Sequence, residues 1–426
     1  MISASDERLR KFKTPYHYPR PVLHGSGKPG SFDEKAVDIP FVFRHLGKYY
    51  MVYSGFDGIG YQSALAVSED LVNWEYQGLI LKRQTGSGRW DENGGAVTWM
   101  IKESDDLYTV PKLGKVDGKY WLVYHSYPGN GYEAGAAEIG LAWTEDETLL
   151  TWHFLDQPVF SWKDGKDWEN GGLYKACVVK KEDTWYLFYN AKTRGEHWIE
   201  QTGVATSKDL LCWKRYEGNP IIRNGPKAWD SSFASDPYVV RDGKTWVCFY
   251  YGIGGAEEDG LYHAQNGAAL SEDLLHWEKA EEPLLRHGME GSFDHHHAHK
   301  PAIFYENGVL YQFYCGTCEK KPEYPTELFG EYRTICMASS QRMEKFVFQR
   351  AKPVWAKGRE KEKNLELAFR AELPKGKGSL VLAVSSIYRV WVNGVFVGAG
   401  PSRAAHGYYV VCTYDLEFPK ETNVLV

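Results

Sequence analysis

Five aromatic, alternating segments recur along the 426-residue chain, and the residues just ahead of them differ where a purely structural repeat would agree. Asp38 opens VDIPFVF, Lys175 lies in GLYKACVV, Asp236 in SDPYVV, and His299 with Lys300 in HHHAHKPAIF, whereas LYTVPKLGKV of the second segment offers no carboxylate. Two carboxyl groups brought together can divide acid–base work, one giving a proton and the other taking it. A second acidic series, Asp33, Asp91, Glu169, Asp230 and Asp294, follows an aromatic in every copy. Such regular repetition suits a turn or a hydrogen bond between repeats, and Glu169 is carried as a third candidate acid. The run His295-His296-His297-Ala298-His299 places alternate imidazoles on one face of an extended strand. Zinc wants three or four converging ligands, which one strand rarely supplies, so no metal is assigned. Cys315 and Cys318 lack the second pair that a zinc site would need.

The elements that must position these residues follow from the repeat. Each copy has a polar or glycine turn followed by an aromatic alternating strand: GKYYMVYSG, GKYWLVYHS, DTWYLFYNA, GKTWVCFYYG and GVLYQFYCG. Period-2 alternation after a tight turn means hairpins. A small-residue strand follows, with a polar turn that ends in Trp in four copies, as in ALAVSEDLVNW and GAALSEDLLHW; the fifth, ICMASSQRMEKF, has lost its Trp. An apolar strand and the aromatic–acid pair complete the unit, and an orphan copy, PVLHGSGKPGSFD, precedes the first full repeat. That phase shift predicts an N-terminal strand closing a ring against the last repeat, since a propeller must cover its terminal edges. The expected fold is all-β: an extension over 1–20, a five-bladed β-propeller over 21–355, a charged linker over 356–362, and an incomplete, jelly-roll-like β-sandwich over 363–426 with a hairpin at Asn393-Gly394.

Composition agrees and excludes several classes. Aromatics make up 15% of the chain, with 16 Trp and 29 Tyr, which favours β pairing and also supplies flat faces for sugar rings. A net charge of -6 gives no positive field for nucleic acid or an anionic membrane. The apolar runs are far shorter than the roughly 20 residues of a spanning helix. Seven cysteines, an odd number, and an N-terminus charged where a secretory signal would be apolar predict a reducing, cytoplasmic setting. Oligomeric state is not encoded in these features.

The strand openings, the GKYYMVYSG hairpins and the SEDLVNW turns resemble the five-bladed propeller glycosidases of glycoside hydrolase family 43 and its relatives in families 32, 62, 68 and 117. The resemblance implies a hydrolase that removes a terminal sugar, arabinofuranosyl, xylosyl, galactosyl or similar, from a plant or microbial oligosaccharide. It implies Asp38 as base or nucleophile and Asp236 as general acid. Acids on non-neighbouring blades would face each other across the funnel at the roughly 6.5 to 9.5 Å of an inverting pair. Lys175 would hold one of them ionised, and it departs from the family pattern, which has a carboxylate there. His297 and His299 would line the funnel and bind substrate, with Glu196 and Trp198 contributing from a blade III loop. No cofactor is required, although a cation or water near His299 is compatible with the resemblance. The missing blade III carboxylate leaves a second reading open, a carbohydrate-binding propeller without catalysis. The phrase RVWVNGVFVGAGPSRAAHGYY resembles the β-sandwich on the N-terminal side of family 78 α-L-rhamnosidases.

Overall fold

The computed structural model describes residues 1–426 except 4, 5, 226–228, 258, 343–351, 353, 360, 363, 364 and 402–409. It divides into two compact units, Met1–Met343 and Glu344–Val426. The propeller's expected end at 355 falls beside residues outside that description, as does part of the rhamnosidase-like phrase.

The first unit is a five-bladed propeller. Its inner strands are Ala36–His45, Ala96–Met100, Gly172–Lys181, Phe233–Asp242 and His297–Glu306, each pairing antiparallel with a second strand and that with a third. The ring closes as the phase of the repeat predicts. Tyr16–His17 and Leu23–His24 pair antiparallel with Glu331–Ser339, the third strand of blade V, and cover its edge. Ile2, Leu9, Phe12 and Val22 from the same segment are buried.

Each recurring phrase has a local physical cause. In the SEDL-x-x-W turns, Asp70 Oδ1 accepts from the amides of Val72 and Asn73 at 2.9 and 2.8 Å, and Asp273 does the same for Leu275 and His276. The following Trp ring folds back, so that Trp74 and Trp277 Nε1 donate to the carbonyls of Leu71 and Leu274, both at 3.0 Å. The third strands of blades II, III and IV carry Gly140, Gly203 and Gly267 where the aromatic of the aromatic–acid pair lies on them: a Cβ on Gly267 would sit 2.4 Å from Trp229 Cζ2. At the axis, Phe41, Trp99 and Tyr238 pack ring to ring, with centroids 4.7 to 6.4 Å apart. Most of the aromatic surplus is therefore core.

The second unit, by itself, is a four-stranded sheet in the order Ala371–Ala383, Val411–Leu425, Tyr388–Val392, Val395–Gly400. Its hairpin turns at Asn393-Gly394, where φ of +53° and +81° explains the Asn-Gly pair. Among the described residues, no helix is long and apolar enough to cross a membrane.

Candidate active site

The acidic series that follows the aromatics is scaffold. Tyr124, Tyr189, Tyr250 and Tyr314, each from the second strand of its blade, donate to Asp91, Glu169, Asp230 and Asp294 at 2.6 to 2.9 Å. A basic group completes each joint: Arg89, Arg215, Lys279 and His17 approach the same acids at 2.8, 3.1, 2.6 and 2.7 Å. Glu169 is thus corrected from candidate acid to joint. Its two oxygens are spent on Tyr189, Arg215 and the Lys166 amide.

The chemistry-bearing residues meet where the inner strands begin. Strands of blades I, III, IV and V each carry a two-residue bulge there, and its first residue, Ile39, Lys175, Asp236 or Lys300, has φ between +43° and +59°. Left-handed backbone is costly for non-glycine residues and is kept where it aims a side chain. Asp38 lies one residue before the bulge, level with Tyr174, Ser235 and His299, so it is not the equivalent of Asp236. The one-residue difference in the distance to Pro40 and Pro237 is the sequence trace of that offset.

Asp38 is buried and clamped by cations. Lys300 Nζ donates to its Oδ2 at 2.6 Å, Arg333 Nη1 at 3.3 Å and the Tyr61 hydroxyl at 3.3 Å, while Oδ1 accepts from the Ile39 amide at 2.9 Å. Burial alone would push its pKa up, but Lys300 and Arg333 outweigh burial and hold the carboxyl far below the usual carboxylate range. Asp236 is the opposite case. Its Oδ1 accepts from Asn190 Nδ2 at 2.9 Å, and its Oδ2 is buried without a hydrogen-bond partner among the described residues. Burial, helped by the charge of Glu200 and opposed by Lys300 and Lys175, raises its pKa to about 7. Lys175 is equally buried, its Nζ unpartnered among the described residues, and burial lowers its pKa against the pull of Asp236. The cations that hold Asp38 ionised are Lys300 and Arg333, which corrects the role given to Lys175.

His299 is buried with its Nε2 accepting from Arg333 at 3.4 Å, and Tyr251 meets its ring edge-on at 5.5 Å. Burial and the nearby cations push its pKa well down, so it is neutral, and Nδ1–H is left as a donor without a partner among the described residues. His297 Nδ1 accepts from the Ala264 amide at 3.1 Å, and burial lowers its pKa to about 4. The ligand-type atoms of Asp38, His299 and Cys315 lie within 4.8 Å of one another. With Lys300 and Arg333 already on Asp38, an added cation there would face two positive charges, and the residues suit a water better.

Sequence reasoning missed Glu200, Asn190 and Arg333, and Glu133 stands out in sequence only as an acid in the long loop YPGNGYEAGAAE. Glu200 accepts from Asn190, Ser235 and Tyr251 through Oε2 at 3.0 to 3.2 Å, and from Trp198 Nε1 at 3.0 Å through Oε1. Trp198, 41% exposed, stacks on Phe233 and helps line a cavity of about 350 Å³ with Glu133, Lys192 and Arg194. Glu133 ties this cavity to the charged centre through Lys300, 3.8 Å away. Glu196, on the same loop as Trp198, is exposed and does not line that cavity. A larger cavity of about 640 Å³, around Lys102, Asp105, Trp185 and Arg241, opens at the other end of the inner strands and contains none of the predicted site residues.

Residues 110–285 match the family described as glycosyl hydrolases family 32 N-terminal domain. The chain is similar to a solved structure described as a BT0996 complex with RGII, with 29% identity and a TM-score of 0.65 over 82% of this chain and 97% of that one. A second, described as a glycoside hydrolase, is 28% identical with a TM-score of 0.64 over the same shares. The 1,2-beta-oligomannan phosphorylase of Thermoanaerobacter sp. (strain X514) is 26% identical over 161 residues, which are 37% of this chain. That match spans 43% of the phosphorylase, less than half its length.

Proposed function

We propose that this chain, a five-bladed β-propeller of the glycoside-hydrolase type and hence a glycosidase rather than a passive binding module, removes a terminal sugar from an oligosaccharide. Asp38 is the ionised base and Asp236 the protonated acid. The observation that carries this is the contrast between the two buried carboxyls: Asp38 Oδ2 is held by two cations, while Asp236 Oδ2 is without a partner among the described residues. Hydrolysis needs one carboxyl to protonate the leaving oxygen and another to activate water or attack the anomeric carbon. Because the two residues open blades I and IV, the wide spacing of an inverting pair is the expected arrangement, with water between Asp38 and the sugar. Trp198 supplies an apolar face beside the cavity for the ring or its neighbour. The sugar class is arabinofuranosyl, xylosyl, galactosyl or similar.

A panel of nitrophenyl glycosides tests the reading. Asp38→Asn should lower kcat by roughly 10² to 10⁴ on every responsive substrate. Asp236→Asn should lose as much on poor leaving groups yet keep much of its rate on dinitrophenyl glycosides, whose leaving oxygen needs no proton. Wild-type rates in both variants would discard the assignment. The first-formed anomer, read by NMR, decides inversion.

A second reading has one observation in its favour. Lys300, Arg333 and Lys175 surround the centre, and the Thermoanaerobacter relative is named a phosphorylase. Phosphate in place of water would give a sugar 1-phosphate, and dependence of turnover on inorganic phosphate separates the two reactions.

A further inference from the structure

We propose that the exposed ring of Phe329, lying on Tyr132, is a platform for a second sugar unit of the oligosaccharide, on the blade V side of the acid pair and distinct from Trp198. The proposal rests on the glycosidase reading above and adds a residue that sets how much of the substrate chain is recognised. Phe329 lies at the same end of the ring as Asp38: the inner strand of blade V starts there, the second strand, Val309–Glu319, returns to it, and the third starts there at Glu331. Leu328 and Glu331 exchange both backbone hydrogen bonds, at 2.9 and 3.0 Å, so Phe329 and Gly330 are the central pair of a tight turn. Their φ values of +54° and +82° are those for which Asn-Gly is the usual pair. Phe329 is nevertheless 76% exposed.

The surroundings of the ring carry the argument. Leu328, next to it, is buried with Ile39, Phe56, Tyr61 and Tyr174, which anchors the turn. The Phe329 ring meets Tyr132 of the long blade II loop edge to face, centroids 5.6 Å apart and planes at 86°. Tyr132 leads straight to the charged centre. Its hydroxyl accepts from Arg333 Nη1 at 2.9 Å, the atom that also lies 3.3 Å from Asp38 Oδ2, and its ring packs on Tyr61, whose hydroxyl donates to Asp38. The next residue, Glu133, approaches Lys192 at 3.9 Å and lines the cavity with Trp198. Two exposed aromatics thus stand on blades V and III, joined by the blade II loop that borders the centre. Left-handed backbone is costly for a bulky residue, and a ring left mostly in water recovers little of that cost by burial. What the turn provides is a fixed apolar face at the rim of the site. A sugar lays its C–H face on such a ring while its hydroxyls seek polar partners. Glu331, which closes the turn, supplies a carboxylate there, 3.7 Å from Arg333. One aromatic among charged groups is far too small a patch for a protein partner, whose interface takes roughly 800 Å² a side.

Calorimetric titration of the full-length Asp236→Asn variant, too slow to consume its ligands, with arabinose, xylose and galactose and with arabinotriose, xylotriose and galactotriose tests the platform. The sugar that binds should bind more tightly as its trisaccharide. Adding Phe329→Ala should weaken the trisaccharide roughly tenfold and leave the monosaccharide within about twofold. In otherwise wild-type protein the same change should raise KM for that trisaccharide with kcat unchanged. Phe329→Tyr should keep the affinity. Phe329→Gly, which suits the turn, should match or raise Tm while losing as much affinity as Phe329→Ala, a result that a merely structural ring would not give. Leu46→Ala, which removes an exposed apolar side chain from the turn at the far end of the blade I strands, should bind as its parent does. A trisaccharide held no more tightly than its monosaccharide, or held equally with and without the Phe329 ring, would overturn the platform and leave the acid pair standing. No turnover of any nitrophenyl glycoside by the wild-type protein would overturn the glycosidase reading, and the platform with it.

Discussion

Asp38 and Asp236 are the same side chain in two surroundings, and their surroundings set the expected pH dependence. If Asp236 must carry a proton, kcat/KM should be flat at mildly acid pH and fall as pH rises through about 7, the value to which burial lifts it. Asp38 should contribute no limb in that range, because Lys300 and Arg333 keep it ionised. Lys300→Met removes the closest of those charges, raises the pKa of Asp38, and should create an acid limb absent from the wild type. Stability gives an independent check. Asp236 has a folded pKa above its unfolded one, so its contribution is fully present below pH 3.8 and is lost as pH rises through about 7. Asp236→Asn should therefore raise Tm at pH 8 and leave it nearly unchanged at pH 4, as measured by calorimetry. A Tm gain equal at both pH values would mean that the carboxyl is not buried in its protonated form.

At the level of the blade, the aromatic–acid joints make an opposing prediction for Glu169. Glu169→Gln keeps the shape but weakens bonds to Arg215 and Tyr189, in a side chain 1% exposed. The expected cost is about 1 to 3 kcal/mol of stability with kcat unchanged below the melting range; a large loss of kcat without loss of Tm would return Glu169 to the active site. These joints also show what the sequence made legible. Five similar acids at one repeat position could be read as scaffold, and unlike residues at another as chemistry, because symmetry-related positions share structural duties and not catalytic ones. The blade count and the ring closure followed from the same repeat. Glu200 and Arg333 were not legible: they are the first residue of one third strand and the third of another, where the pattern shows small residues, and what makes them part of the site is contact between strands far apart in sequence, as in Arg333 with Asp38. The offset between Asp38 and Asp236 shows in the sequence only as a one-residue difference in spacing to Pro, since a bulge moves a side chain without changing residue type.

For the whole ring, closure is the property on which every blade depends. Each inner strand is held between neighbours, and the last blade relies on a segment more than three hundred positions earlier in the sequence, with Leu23 level with Ile335 and Tyr16 level with Ser339. Deleting residues 1–24 strips those pairings and also removes Ile2, Leu9, Phe12 and Val22 from the core. Each such side chain is worth about 1.5 to 3 kcal/mol on burial, so four together approach the roughly 5 to 15 kcal/mol by which a domain is stable. The deletion should therefore lower Tm by more than about 10 °C or give aggregated protein, because the Glu331–Ser339 edge would then be free to pair with another molecule. A variant ending at residue 343 leaves the clasp intact, and its propeller transition should stay within about 2 °C of the full-length protein in scanning calorimetry. If the N-terminal deletion melted where the full-length protein does, blade V would be stable with an open edge, and the ring would owe its stability to packing between blades alone.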